Sequence, residues 1–245
     1  MILAFDTETY EYDEINGVYR PVLDARKFVL GHIKTEKGVK KFFYDREEMF
    51  EWIRETIHQN IKEKRRTYLY AHNTEYDWYA IAHNHFIEKD MKYILFHAFL
   101  GIYKQKAYYV DTMAFHRTTL ERVGNILGIE KLEMPQQVRD IKELEPYIER
   151  DVEIVLKAVM NLKNRLNALG FKPRKIMTAG QVAMTCFSTF NRRNFTEKYF
   201  TVYNAEKKRR EIIRTKYPDL VREAYRGGDN QAYQIGKFNN LSLVS

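Results

Sequence analysis

Apolar and polar positions alternate in short blocks along the first two-thirds of the chain. Residues 1–7 are apolar until they break into acids, a pattern that predicts a strand. Residues 28–34 and 39–44 are short stretches of strand-like residues, and predict two more strands separated by a Lys37-Gly38 turn. Phe50, Ile53, Ile57 and Ile61 then recur at intervals of three or four, which predicts an amphipathic helix over 47–64. A strand over 67–71 runs into Asn73, and residues 75–85 predict a helix. Strands are expected at 93–99 and 108–111, followed by a short helix over 118–127 that stops at Gly128. The longest helix, 146–169, carries Pro146 in its first turn and Gly170 just past its end.

Strands interleaved with helices predict an α/β domain over residues 1–170, with a mixed sheet flanked by helices. After Gly170 the texture changes. Residues 196–214 are rich in charge, and Gly227-Gly228 sits in a polar, aromatic stretch. Residues 171–245 are expected to form a helical and looped extension. Composition narrows the class. Of 245 residues, 44% are apolar, enough to bury a sizeable core, and 30% are charged. The single cysteine, Cys186, excludes an intrachain disulfide framework and a Cys-rich zinc module. No signal-peptide core forms before Asp6, and no apolar run approaches the ~18 residues of a membrane span. A soluble, cytoplasmic protein without a membrane partner is therefore expected. The net charge of +8 hints at an anionic partner.

The acids are placed unevenly. In Asp6-Thr7-Glu8-Thr9 the two carboxylates project to the same side of a strand, because side chains alternate faces. A divalent cation would relieve their repulsion. In His72-Asn73-Thr74-Glu75-Tyr76-Asp77 an acid lies in the first turns of a helix, where the macrodipole favours it. On the long helix Tyr147 and Asp151 are four apart and share a face. Each pattern alone also suits a solvated acid. All three in this order are far more specific.

The ordered set resembles the DEDD exonuclease superfamily, in the subgroup with Tyr in its last motif. The resemblance implies an RNase H-like fold and removal of nucleotides from 3′ ends. It makes Asp6, Glu8, Asp77 and Asp151 the metal-binding carboxylates for two Mg²⁺ or Mn²⁺ ions, with Tyr147 positioning the attacking water. Two such ions ~4 Å apart suit phosphodiester hydrolysis, since they serve both the attacking and the leaving oxygen. The flanking residues are similar to the exonuclease motifs of family B DNA polymerases. In that family the positions of Thr9, Asn73 and Tyr76 hold the single-stranded 3′ end. A Ser/Thr-Leu pair of protein-primed members matches either Thr112-Met113 or Thr119-Leu120. Lys131 is either the lysine that family members aim at the scissile phosphate or an ordinary surface lysine.

The end of the chain carries Tyr225-Arg226-Gly227-Gly228. This is similar to the Tyr-x-Gly-Gly motif that links exonuclease and polymerase domains and contacts template DNA. Paired glycines let backbone approach phosphate closely. The polymerase motifs that follow in that family are absent before Ser245. The chain is expected to be the N-terminal exonuclease part of such a polymerase, or a standalone or split relative, without polymerase activity. Its expected partners are a single-stranded DNA 3′ end and a polymerase domain, subunit or other replication protein. Two other readings stay open: a 3′→5′ exoribonuclease of the same superfamily, and a non-catalytic nucleic-acid-binding module. His83-Asn84-His85 lacks the further ligands of a metal site and is read as ordinary histidines. The basic runs 62–66 and 207–214 suit either phosphates or a solvated helix face.

Overall fold

A computed structural model of the chain describes residues 1–82, 91–95, 99–173, 176–194, 201–204, 209–212, 237–238 and 241–242. The chain divides into two compact units, Met1–Ala179 and Gly180–Ser245.

The first unit is built on one mixed sheet. Its strands are β1 (Ile2–Asp13), β2 (Val18–Pro21), β3 (Phe28–Thr35), β4 (Lys40–Phe43), β5 (Thr67–Ala71), β6 (Met91–Leu95), β7 (Phe99–Tyr103) and β8 (Ala107–Asp111). The order across the sheet is β4-β3-β1-β5-β8-β7-β6, with β2 paired to the far end of β1. β3 and β4 run antiparallel to their neighbours, whereas β1, β5 and β8 are parallel. The helices are α1 (Arg46–Lys62), α2 (Thr74–Ala82), α3 (Leu120–Leu127) and α4 (Glu145–Ala168).

The two faces of β1 have different partners. Leu3 and Phe5 pack with Met49, Phe50, Ile53 and Ile57 of α1 and with Trp78 and Ile81 of α2. Ile2 and Ala4 face the other way, onto Val152, Val155, Leu156 and Val159 of α4. Strand alternation therefore sends Asp6 and Glu8, the next even positions, to the α4 side. The predicted helix spacing is met in α1, where Phe50, Ile53 and Ile57 are buried and Ile61 packs at the edge. Asp45 caps α1 by accepting from the Glu48 N–H at 2.8 Å. Gly128 stops α3 in the left-handed conformation, at φ 68°. Gly124 lets α3 approach α4 and the stretch that follows α3, since a Cβ there would meet Ile154 Cδ1 of α4 at 3.0 Å and the Ile129 carbonyl oxygen at 2.5 Å.

Three expectations for the first unit need correction. β1 does not end at the acids: it continues to Asp13, because β2 offers Tyr10–Asp13 a second antiparallel partner. Asp6 and Glu8 thus sit mid-strand. The single strand expected over 93–99 is instead the antiparallel pair β6 and β7, with Leu95 opposite Phe99. The first unit also reaches beyond Gly170: the Tyr70 hydroxyl donates to the Ile176 carbonyl at 2.6 Å, and Met177 packs in the α4-side core.

The second unit holds α5 (Ala179–Asn194) from its second residue on, and two antiparallel pairs. These are β9 (Thr201–Asn204) with β10 (Arg209–Ile212), and β11 (Lys237–Phe238) with β12 (Leu241–Ser242). Strands in this extension depart from the expected helices and loops. His83, Asn84 and His85 lie outside the described residues, as does the Tyr225–Gly228 motif. No helix among the described residues is long and apolar enough to cross a membrane.

Candidate active site

β1 supplies the centre of the site. Its ladder with β3 shifts register between Glu8 and Thr9, a bulge directly beside the acidic pair. Asp6 and Glu8 are mutual neighbours, and both feel the charge of Asp151 from α4. Burial pushes each well above the usual carboxylate range, and the neighbouring acids push in the same direction. Asp77 enters from the first turns of α2. Its Oδ1 accepts from the Thr7 backbone N–H at 3.1 Å and from the Thr7 hydroxyl at 2.8 Å. Asp77 is also hydrogen-bonded to Asp6, and burial raises its affinity for a proton.

α4 supplies the opposite wall. Tyr147 and Asp151, one turn apart, are 8% and 4% exposed, so neither belongs to a solvated charge ladder. The Tyr147 hydroxyl is hydrogen-bonded to Asp151. Burial, followed by the charge of Asp151, raises the phenol far above its ordinary value, so it stays protonated near neutral pH. The Lys131 ammonium donates to the Tyr147 hydroxyl at 2.9 Å and pairs with Asp151 Oδ2. It also lies 4.4 Å from the Tyr147 ring centroid. Lys131 is therefore not an ordinary surface lysine. Asp151 Oδ1 is buried and has no hydrogen-bond partner.

The remaining described candidates lie on β1, on α2 and just past the ends of β5 and β8. The Thr9 hydroxyl donates to the Val22 carbonyl at 2.6 Å and is hydrogen-bonded to the Tyr76 hydroxyl. Thr9 is 3% exposed, which sets it behind Tyr76. Asn73 is exposed and holds a positive φ of 70°, a conformation Asn tolerates better than most residues. Thr112 is buried, and its hydroxyl donates to the Ala71 carbonyl at 3.1 Å. Met113 beside it is 36% exposed. Of the two Thr pairs, Thr119 is committed as the cap of α3, accepting from the Arg122 N–H at 3.3 Å.

Two residues escaped sequence reasoning. Asp111 accepts from the N–H groups of Asn73 at 3.1 Å and Met113 at 2.9 Å, and so ties both loops together. The available signal was an acid closing a strand whose five residues are all buried. His72 is the other: its Nδ1 is 2.9 Å from the Thr112 hydroxyl oxygen, beside Asn73.

Residues 125–244 match the family model described as DNA polymerase type B, organellar and viral. That match covers just under half of the chain. A solved structure of Phi29 DNA polymerase with primer-template DNA aligns at a TM-score of 0.55 and 14% identity, over 84% of this chain and 38% of that one. An orthorhombic crystal form of Phi29 DNA polymerase aligns at 0.54 and 16% identity, over 92% of this chain and 39% of that one. Phi29 DNA polymerase with single-stranded DNA aligns at 0.51 and 15% identity, over 82% and 36%. The chain thus spans under two-fifths of each of those structures. Curated protein sequences give no match. The shared architecture is the RNase H-like fold expected from the sequence, a mixed sheet flanked by helices.

The donor set suits a hard divalent cation. Four carboxylates converge, all raised by burial, and one buried oxygen lacks a partner. Among the described residues no group of three or more His, Cys, Asp or Glu is placed so that it could hold a metal ion. The Lys131 ammonium is paired with one oxygen of Asp151.

Proposed function

We propose that the chain is a 3′→5′ exonuclease acting on single-stranded DNA ends, of the kind that proofreads in a family B DNA polymerase. One observation carries the reading: Asp6 and Glu8 on one face of β1 meet Asp151 and Tyr147 of α4, with Asp77 alongside and a buried carboxylate oxygen unpartnered.

Asp6, Glu8, Asp77 and Asp151 would hold Mg²⁺ or Mn²⁺. Bound there, the cations would neutralise phosphate charge and acidify water. The chain's own groups do the rest. Tyr147, held protonated, aligns the attacking water as a hydrogen-bond partner and does not act as a base. Asn73 and Met113, exposed on loops fixed by Asp111, face the terminal nucleotides. Tyr76, buttressed by Thr9, offers a ring for stacking. Lys131 supplies positive charge for the scissile phosphate.

The test is cleavage of 3′-labelled single-stranded DNA with Mn²⁺, comparing the wild type with the Asp6→Ala/Glu8→Ala double variant. The variant is expected to lose activity by orders of magnitude while still binding DNA. Equal cleavage by both would sink the site. Matched DNA and RNA oligomers decide the sugar preference, and a strong RNA preference would replace proofreading with exoribonuclease action.

A further inference from the structure

The lysine in the site is placed with unusual care. Residues 129–137, which carry Lys131, form no helix or strand. The stretch is nevertheless fastened along its length. Arg150 Nη1 of α4 donates to the Glu130 carbonyl at 2.9 Å, and the Ile129 N–H donates to the Gly124 carbonyl at 2.9 Å. The Tyr10 hydroxyl donates to the Pro135 carbonyl at 2.7 Å. Tyr19 and Val138 exchange backbone hydrogen bonds at 2.8 and 3.2 Å. A flexible lysine fixed this way gives up side-chain freedom, which a surface lysine would retain.

What the lysine meets explains the placement. Its side chain is 22% exposed, and that of its partner Asp151 only 6%. Among the described residues it makes the only ion pair with the four acids. Without it, the buried carboxylates would face one another unneutralised. Its charge opposes the burial that raises Asp6, Glu8 and Asp151.

We propose that Lys131 is the built-in counter-cation of the carboxylate cluster, and that a divalent cation binds by displacing its ammonium from Asp151. The two cations compete for the same oxygen. Repulsion then turns the ammonium outward, where it is free to pair with a phosphate. Loading the site and readying it for substrate become one event. The inference rests on the metal-dependent reading above.

The test is Mn²⁺ binding to the full chain by calorimetry, with thermal melting in the absence and presence of Mn²⁺. Lys131→Met is expected to bind Mn²⁺ about tenfold more tightly than the wild type, since a competing positive charge is gone. Its metal-free melting temperature should fall, and Mn²⁺ should raise it by more than in the wild type. Lys131→Arg, which keeps the charge, should bind Mn²⁺ with near wild-type affinity. Equal or weaker binding by Lys131→Met overturns the exchange. A Met variant that folds only when Mn²⁺ is added supports it, and one that Mn²⁺ cannot fold overturns it. A wild type that binds no Mn²⁺ removes the nuclease reading itself. A wild type that binds and cleaves, beside a Met variant of unchanged affinity, removes only the exchange.

Discussion

Asp111 and Asp151 are buried to the same degree, 3% and 4% exposed, yet their oxygens are used differently. Asp111 closes β8 and accepts from the backbone N–H groups of Asn73, Thr74 and Met113. Its charge is spent on holding two loops. Asp151 has one oxygen on Lys131 and another with no partner. Burial raises both carboxyls, but backbone donors offset it at Asp111 and the Lys131 ammonium offsets it at Asp151. A buried acid satisfied by backbone has its oxygens engaged, whereas Asp151 keeps one open.

That contrast can be broken by substitution. Asp151→Asn should lower cleavage of single-stranded DNA by a thousandfold or so. Its melting temperature in metal-free buffer should change little, because relief of the repulsion from Asp6 and Glu8 offsets loss of the pair with Lys131. A fall in melting temperature that matches the lost activity would erase the distinction. Tyr147→Phe should reduce cleavage roughly 10- to 100-fold, with Mn²⁺ affinity largely kept. Undiminished cleavage would remove the hydroxyl from the chemistry. Asp111→Ala should show the opposite profile, a loss of about 2 kcal/mol in denaturant unfolding with cleavage surviving in the folded fraction.

The smallest effect concerns pH. His32 lies opposite Asp6 on β3, is fully buried, and is pushed down to about 4 by that burial. In the unfolded chain it titrates near ~6.5. Between those values the unfolded state binds the extra proton, so this contribution to stability is lost as pH falls from ~6.5 towards 4. Unfolding measured at pH 7 and pH 5 should show a smaller acid loss in His32→Phe than in the wild type. An unchanged loss would mean that His32 is not the group responsible.

Much of the site was legible because it follows from periodicity. A two-residue repeat puts Asp6 and Glu8 on one face, and a four-residue helical offset joins Tyr147 to Asp151. What escaped depended on partners elsewhere in the chain. β1 runs on past its acids because β2, a few residues further along, folds back on it as a hairpin. Lys131 enters the site through carbonyl contacts made by Arg150 and Tyr10, and backbone acceptors leave no mark in a sequence. Asp111 looks like any strand-ending acid until the loops of Asn73 and Met113 close over it.

The fastened stretch 129–137 has a consequence for anyone altering this protein. Connectors without regular structure are the usual places to insert a tag, shorten a loop or cut a chain. This one would resist all three. An inserted residue between the Arg150 and Tyr10 anchors would shift the register of every group it carries. Proteases should find it slow to cut, and the Val138 amide just past its end should exchange with solvent as slowly as one within a sheet.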